Sequence, residues 1–215
     1  MLSVPEPQIR ALIRLLSDGD ERVARTIAGK LAEIGEPAVP LLREAELEQP
    51  EMAARISEVL DDIQGQRLEG DFHALSACDD EHLDLETGAF LIARFAYPDL
   101  DVDPYVEMLD AMALEVRDRL GRRASGEEIV KAINRYLFVE QKFTGNTHEY
   151  YDVDNSYLSK VLERKTGIPI SLSVVYMLVG KRLELPVFGV GMPGHFLVKY
   201  EADRYRIFVD CFNGG

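Results

Sequence analysis

The chain has 215 residues, of which 47% are hydrophobic and 29% charged, a composition typical of a globular protein and not of a disordered one. Its 38 acidic and 24 basic residues leave a formal charge of −14, which disfavours binding to nucleic acid or to an anionic membrane surface. No apolar run approaches the roughly 20 residues of a membrane span, the N-terminus lacks a signal-peptide pattern, and two cysteines are too few for a disulfide framework, so we expect a cytoplasmic protein with reduced thiols.

Two apolar stripes at helical spacing flank the polar turn at 17–20 in the first part of the chain. They are formed by Ile9, Leu12, Ile13 and Leu16, and by Val23, Ile27, Leu31 and Ile34. The pattern resembles a single HEAT-type repeat over residues 8–45, which a third helix at about 50–64 would extend. One such repeat leaves an apolar face uncovered, so we expect it to pack on the next domain or on a partner.

The polar, glycine-containing stretch at 64–72 predicts a domain boundary, with a helical segment at 1–66 and a second domain at 67–215. Acidic residues concentrate next to this boundary, because residues 69–110 contain twelve acidic side chains and one basic side chain, Arg94. Two interpretations of this acidic surface stay open: a solvated face that keeps the chain soluble, or a docking surface for a basic protein partner.

Helical patterns continue into the second domain, at about 86–96 and about 104–120, with Asp103 as the expected N-cap of the latter helix. Ser125 and Glu128 predict a capping box for the next helix. Acidic residues at 99–110 partly follow the spacing of a calcium-binding loop. Pro104 stands where such a loop needs glycine, however, so we expect helix capping rather than a metal site.

The last third of the chain combines helices and strands. The patterns predict one helix at about 155–164, a second at about 171–183 that is apolar nearly all round, and two strands, "FLVKY" and "YRIFVDCF", joined by the charged turn "EADR". A buried helix followed by an antiparallel hairpin indicates an α+β domain.

Three longer motifs carry a family resemblance: "NSYLSKVLERKTGIPISLS", "GVGMPGHFLVKY" and "FVDCFNGG". Together with "LIARFAYPDLDVDPYVEMLD" they resemble the SirB-type transglutaminase-like proteins over roughly residues 75–215. The resemblance implies a transglutaminase core, a relative of the papain-like fold. In that core a helix N-terminus carries a cysteine nucleophile, and two strands carry a histidine and an aspartate. His195 would then be the general base and Asp210 the residue that orients it.

The resemblance also places Pro169 where the nucleophile should be, and proline has no side chain that can attack. The nearest hydroxyl is that of Ser171, which could attack only if His195 took its proton. Cys211 follows Asp210 directly, and strand alternation would turn its thiol to the opposite face.

Two functions therefore remain open. One is a transglutaminase-like domain without catalysis, which serves as a binding or adaptor module for another protein. The other is an amide or ester hydrolase or acyltransferase that uses Ser171, His195 and Asp210, with the backbone N–H groups at the helix start as an oxyanion hole. In the first case Ser171 is a helix-capping residue, and His195 with Asp210 either lines a retained site or only stabilises the fold.

Four further residues are expected near the cleft: Asn155, Ser156, Tyr151 and Pro169. For Asn155 and Ser156 the simpler interpretation is capping of the helix that follows, and aromatic residues such as Tyr151 more commonly pack in a core or at its rim. The sequence carries no metal-ligand spacing and no cofactor motif, so neither a metal nor a cofactor is expected.

Overall fold

The computed structural model describes residues 4–79, 83–121, 124–202 and 205–215. The chain forms two compact units, Met1–Ala77 and Cys78–Gly215. Within the described ranges, no helix combines the length and apolar character needed to cross a membrane.

The first unit is helical and encloses its own apolar core. Asp20 caps the second helix by accepting a hydrogen bond from the Arg22 backbone N–H at 2.8 Å, and Gly35, with a φ of +71°, ends it. Ile9, Ile13, Leu31, Leu42 and Ile56 lie in the core. The helices are α1 (Glu6–Leu15), α2 (Glu21–Ile34), α3 (Val39–Glu48) and α4 (Ala53–Ser76).

The boundary between the units lies later than the sequence indicates. The stretch 64–72 is not a linker but part of the 24-residue helix α4, and the units divide between Ala77 and Cys78. Glycine weakens a helix interior by only about 1 kcal/mol, and polar residues suit an exposed helical face. Arg67 adds support, because its guanidinium lies 2.6 Å from the Glu36 carboxylate.

Among its described residues the second unit contains five further α-helices. Two of the helix starts were predicted from the sequence, one correctly. The predicted capping box of α7 is confirmed, since Glu128 accepts from the Ser125 backbone N–H at 2.8 Å and donates its own N–H to the Ser125 hydroxyl. Asp103 is the first residue of its helix rather than the N-cap, which is Val102. The helices are α5 (Leu85–Ala96), α6 (Asp103–Arg119), α7 (Gly126–Asn134), α8 (Leu158–Arg164) and α9 (Pro169–Arg182).

Helix α9 is the centre of the second unit, as its apolar pattern predicts. Leu172, Val175, Tyr176 and Val179 are almost completely buried. The helix packs against α5, α6, α8 and a three-stranded antiparallel sheet. A mixed fold with a buried helix on an antiparallel sheet confirms the predicted α+β class.

The sheet has one strand more than the sequence predicts. It consists of β3 (Val187–Met192), β4 (His195–Ala202) and β5 (Tyr205–Val209), in that order. The missed strand β3 contains Gly189 and Gly191, and glycine lowers strand propensity. Gly189 is required by packing, because a Cβ there would lie 2.6 Å from the Phe196 ring. A two-residue parallel pair, β1 (Thr144–Gly145) and β2 (Thr166–Gly167), lies just before α9.

Candidate functional site

His195 and Asp210 meet at one end of the sheet. His195 is the first residue of β4 and follows a tight turn in which Gly194 has a φ of +72°, as the third position of a type II turn requires. Asp210 follows the last residue of β5. The His195 Nε2 lies 3.0 Å from the Asp210 Oδ2, so the hairpin brings together the two residues that the sequence analysis pairs.

Asp210 is held by more partners than His195 alone. Its Oδ2 also accepts from the Asn213 side-chain amide at 2.8 Å, and its Oδ1 accepts from the backbone N–H groups of Phe212 and Asn213. Burial opposes ionisation, but the hydrogen bonds from Asn213 and His195 outweigh it and lower the pKa of the Asp210 carboxyl. The sequence analysis missed Asn213, although aspartate followed by a polar residue three positions later is typical of such a turn.

The start of α9 presents no reactive side chain. Ile168 is the N-cap and Pro169 is the first helical residue, a position that proline suits because its missing N–H is not needed there. Pro169 is buried, whereas the next residue, Ile170, is 49% exposed. The first hydroxyl of the helix is therefore that of Ser171, its third residue.

The Ser171 hydroxyl is turned into the protein. It is 5% exposed, accepts from the Ile168 backbone N–H at 3.1 Å and donates to the Asn155 carbonyl at 2.6 Å. Within the part of the chain that the structure describes, it makes no hydrogen bond with His195. This is the geometry of a residue that stabilises a helix start, at the N3 position rather than at the N-cap.

Asn155 connects the preceding loop with the helix start. The side chain is 2% exposed, donates to the carbonyls of Glu149 (2.7 Å) and Tyr150 (3.1 Å), and accepts from the Asn146 amide. The expected capping of the following helix is wrong, because Tyr157 occupies the N-cap of α8 without a side-chain hydrogen bond. Asn155 lies instead in a short 3-10 turn (Val153–Ser156), whose residue Ser156 is exposed.

Aromatic rings lie beside the histidine–aspartate pair. Phe212 packs edge-on against His195, with 6.4 Å between ring centroids, and also against Tyr150 at 6.0 Å. The Phe212 ring covers Gly145, where a Cβ would lie 2.5 Å from the ring. Tyr151 follows Tyr150 and is 93% exposed, so it is not a core residue. Neither Phe212 nor Gly145 is a site residue in the sequence analysis.

The two cysteines differ in burial and in position. Burial raises the pKa of the Cys211 thiol to about 12, against a smaller opposing effect of the Ser173 hydroxyl. A buried thiol with a raised pKa holds almost no thiolate at neutral pH. Cys211 lies in the apolar core of the second unit. Cys78 is exposed at the beginning of the second unit, in none of the elements that form the site.

The acidic residues at 99–110 serve the fold. The Asp101 carboxylate accepts from the Asp103 backbone N–H at 3.2 Å, and Asp110 pairs with Arg182 at 2.6 Å. Across the described residues, no group of three or more histidine, cysteine or acidic side chains is arranged to hold a metal ion.

Comparisons with known proteins find a family match that lies within the second unit. A family model described as the transglutaminase-like superfamily matches residues 103–215. A UPF0162 protein of Xylella fastidiosa (strain 9a5c) is 42% identical over 144 residues, which cover 67% of this chain and 51% of the relative. A UPF0162 protein of Vibrio cholerae is 27% identical over 143 residues, covering 65% of this chain and 53% of the relative.

A third relative is of a different kind. F-box only protein 21 of Mus musculus is 42% identical over 86 residues, which are 40% of this chain and 14% of that protein. The chain spans about half the length of the two Xylella fastidiosa UPF0162 relatives that it matches. No solved structure matches the chain.

Proposed function

Because the chain belongs to the transglutaminase-like superfamily, we propose that it is a non-catalytic binding protein of the SirB type, whose surface beside His195 and Asp210 binds another protein. The observation that carries this proposal is the start of α9, where Pro169 occupies the position that the resemblance assigns to the nucleophile. The nearest hydroxyl, that of Ser171, is bonded to the backbone of residues 155 and 168.

The histidine–aspartate pair remains usable for recognition. The side chains of His195 and Asp210 are 27% and 34% exposed, and the Asp210 contact occupies the Nε2 of the histidine. The other ring nitrogen has no hydrogen-bond partner among the residues that the structure describes. A half-exposed imidazole held in one orientation can donate to or accept from a polar group of a bound protein.

The relatives support a modular role for this region. A similar stretch of 86 residues forms 14% of F-box only protein 21, and a similar stretch of 144 residues forms 51% of a UPF0162 protein. We propose that the N-terminal helices are a HEAT-like repeat that adds a second partner surface. The partner of the chain is proposed to be a basic protein, since residues 69–110 contain twelve acidic side chains and one basic side chain. We propose a cytoplasmic location for the complex.

The alternative is an acyl-transfer enzyme with a Ser171–His195–Asp210 triad. A serine-directed fluorophosphonate separates the two functions when wild type, Ser171→Ala and His195→Ala are treated under native conditions and any label is located by mass spectrometry. Ser156→Ala, which removes an exposed hydroxyl from the same region, is the matched control. We expect no label on Ser171 in any variant. Label on Ser171 that disappears with His195→Ala would refute the non-catalytic function.

A further inference from the structure

Three aromatic rings next to the candidate site form two consecutive edge-to-face contacts. Tyr151 and Tyr150 meet at 81° with 5.4 Å between ring centroids, and Tyr150 and Phe212 meet at 73° with 6.0 Å. Tyr151 is 93% exposed and Tyr150 is 39% exposed. Two adjoining rings at this angle, both exposed, form an open corner at the surface.

Hydrogen bonds hold the backbone of the corner in place, although its rings are exposed. The Asn155 side chain donates to the backbone carbonyls of Glu149 and Tyr150. The side-chain oxygen of Asn146 accepts from the Glu149 backbone N–H at 2.9 Å. Asn155 itself is 2% exposed. A tyrosine that is 93% exposed gains little stability from burial, so folding alone does not account for this placement.

Negative charge lies next to the corner. Glu149 precedes the two tyrosines and is exposed, and within the described ranges its carboxylate has no hydrogen bond or ion pair. Arg164, in helix α8, pairs with Asp152 and Asp154 and makes no ion pair with Glu149 among the described residues. A positively charged group would therefore meet an unneutralised carboxylate beside two aromatic rings, whose negative faces attract cations.

We propose that the corner formed by Glu149, Tyr150 and Tyr151, here called the aromatic corner, binds a cationic side chain, a guanidinium or an alkylammonium, of a basic partner segment. The inference rests on the proposed function, because it names the chemistry that the binding site recognises. The same segment would continue past Phe212 to the His195–Asp210 pair, which can hydrogen-bond to its backbone.

The first experiment measures binding of single side-chain probes to the full chain. The tyrosine rings are labelled for NMR, and the resonances of Tyr150 and Tyr151 are assigned with phenylalanine variants. The cationic probes are N-acetyl-arginine methylamide and N-acetyl-lysine methylamide. The neutral probes of similar shape are the corresponding citrulline and norleucine derivatives. We expect the cationic probes to change the chemical shifts of the two ring resonances in a saturable way. The neutral probes should bind more weakly, by about two- to fivefold or more.

Variants locate the contact. Tyr151→Ala should weaken cation binding by about two- to fivefold, whereas Tyr151→Phe, which keeps the ring, should retain it. Glu149→Gln should weaken binding and reduce its dependence on salt. The matched control is Tyr205→Ala, because Tyr205 is a 63% exposed tyrosine of the same unit with no ring contact among the described residues. It should leave binding unchanged.

The outcomes separate this inference from the proposed function. Equal binding of neutral and cationic probes would overturn the cation preference and indicate a purely apolar anchor. No saturable shift, or equal loss with Tyr205→Ala, would overturn the aromatic corner as a binding site. Neither result would make the chain an enzyme. Fluorophosphonate labelling of Ser171 that disappears with His195→Ala would refute the non-catalytic function whatever the tyrosine resonances show.

Discussion

The two ends of the candidate site differ in how they use their polar groups. At the start of α9, Ser171 is 5% exposed and its hydroxyl is bonded to backbone groups. At the end of the sheet, the side chains of His195 and Asp210 are 27% and 34% exposed and bonded to each other. The helix start is built like a core, whereas the sheet end is built like a surface that can meet a ligand. The exposed polar groups of the candidate site therefore lie at the sheet end and not at the helix start.

The largest effect on stability is expected from a substitution at Gly145, which the Phe212 ring covers at the sheet end. In Gly145→Ala the new Cβ would lie 2.5 Å from the Phe212 ring and 2.7 Å from the Phe212 backbone oxygen, so the backbone of the terminal turn must move. We expect a loss of about 1–3 kcal/mol in the free energy of unfolding, measured with denaturant, and altered NMR shifts of the His195 ring.

Gly191→Ala is the matched control for this prediction. Gly191 lies in β3, and a Cβ there would have no neighbour within 4 Å. Its stability should stay within about 0.5 kcal/mol of wild type. If the two variants were equally stable, Phe212 would not be fixed on Gly145, and the sheet end would be as adaptable as an ordinary surface loop.

The next effect concerns the helix start. Ser171→Ala removes the acceptor of the Ile168 N–H and the donor to the Asn155 carbonyl, and leaves both groups without these bonds inside the protein. We expect a loss of about 1–2 kcal/mol in the free energy of unfolding, because each unsatisfied buried group costs free energy. Ser156→Ala, at an exposed position, should change stability by less than about 0.5 kcal/mol. Equal stability of the two variants would contradict the structural role of Ser171.

Local sequence patterns predict the helix, the hairpin and the histidine–aspartate pair of the sheet end. The apolar pattern of α9 and two alternating strands separated by a charged turn predict the helix and the hairpin. A tight hairpin then brings His195 close to Asp210. Strand β3 was missed because its glycines lower strand propensity, although packing against Phe196 requires one of them.

The contacts of the helix start and the aromatic corner could not be predicted in the same way. Asn155 bonds to carbonyl groups five and six residues earlier, and its own carbonyl accepts from Ser171 sixteen residues later. Such contacts depend on the path of the loop, which no periodicity encodes. The boundary at 64–72 failed for a related reason, since polar residues occur both in linkers and on the exposed face of a long helix.

A designed thiol tests whether the helix start still faces the histidine. In a Cys78→Ser background, Pro169→Cys puts a thiol at the first position of α9, where the helix dipole favours the thiolate. We expect alkylation by iodoacetamide at pH 7 to be about tenfold faster than for Ile170→Cys, although Ile170 is the more exposed position. The rate should fall when His195→Ala is added.

Equal rates at the two positions, with no effect of His195→Ala, would contradict the alignment of Pro169 with the family's nucleophile. Faster alkylation of the Pro169→Cys variant that does not depend on His195 would assign the effect to the helix dipole alone. In that case the two ends of the site would not cooperate chemically, which would strengthen the non-catalytic function.

The smallest effect is the pH dependence contributed by Asp210. Burial opposes ionisation of this carboxyl, but its hydrogen bonds from Asn213 and His195 lower its pKa below the ordinary 3.8. A group whose pKa is lower in the folded state stabilises the fold when ionised. This contribution is fully present above the ordinary pKa and is lost as the pH falls through the lowered pKa of the folded state.

Asp210→Asn should therefore be less stable than wild type at pH 6, and the difference should shrink as the pH falls below about 4. Because the pair is about one-third exposed, we expect a difference of only about 0.2–1 kcal/mol, measured by thermal unfolding across the pH range. Glu149→Gln, which changes an exposed carboxylate in the same unit, is the control and should follow the wild-type profile. A difference between wild type and Asp210→Asn that persists unchanged to pH 2 would mean that the charge of Asp210 does not stabilise the sheet end. The His195–Asp210 contact would then be a consequence of the hairpin and not a source of its order.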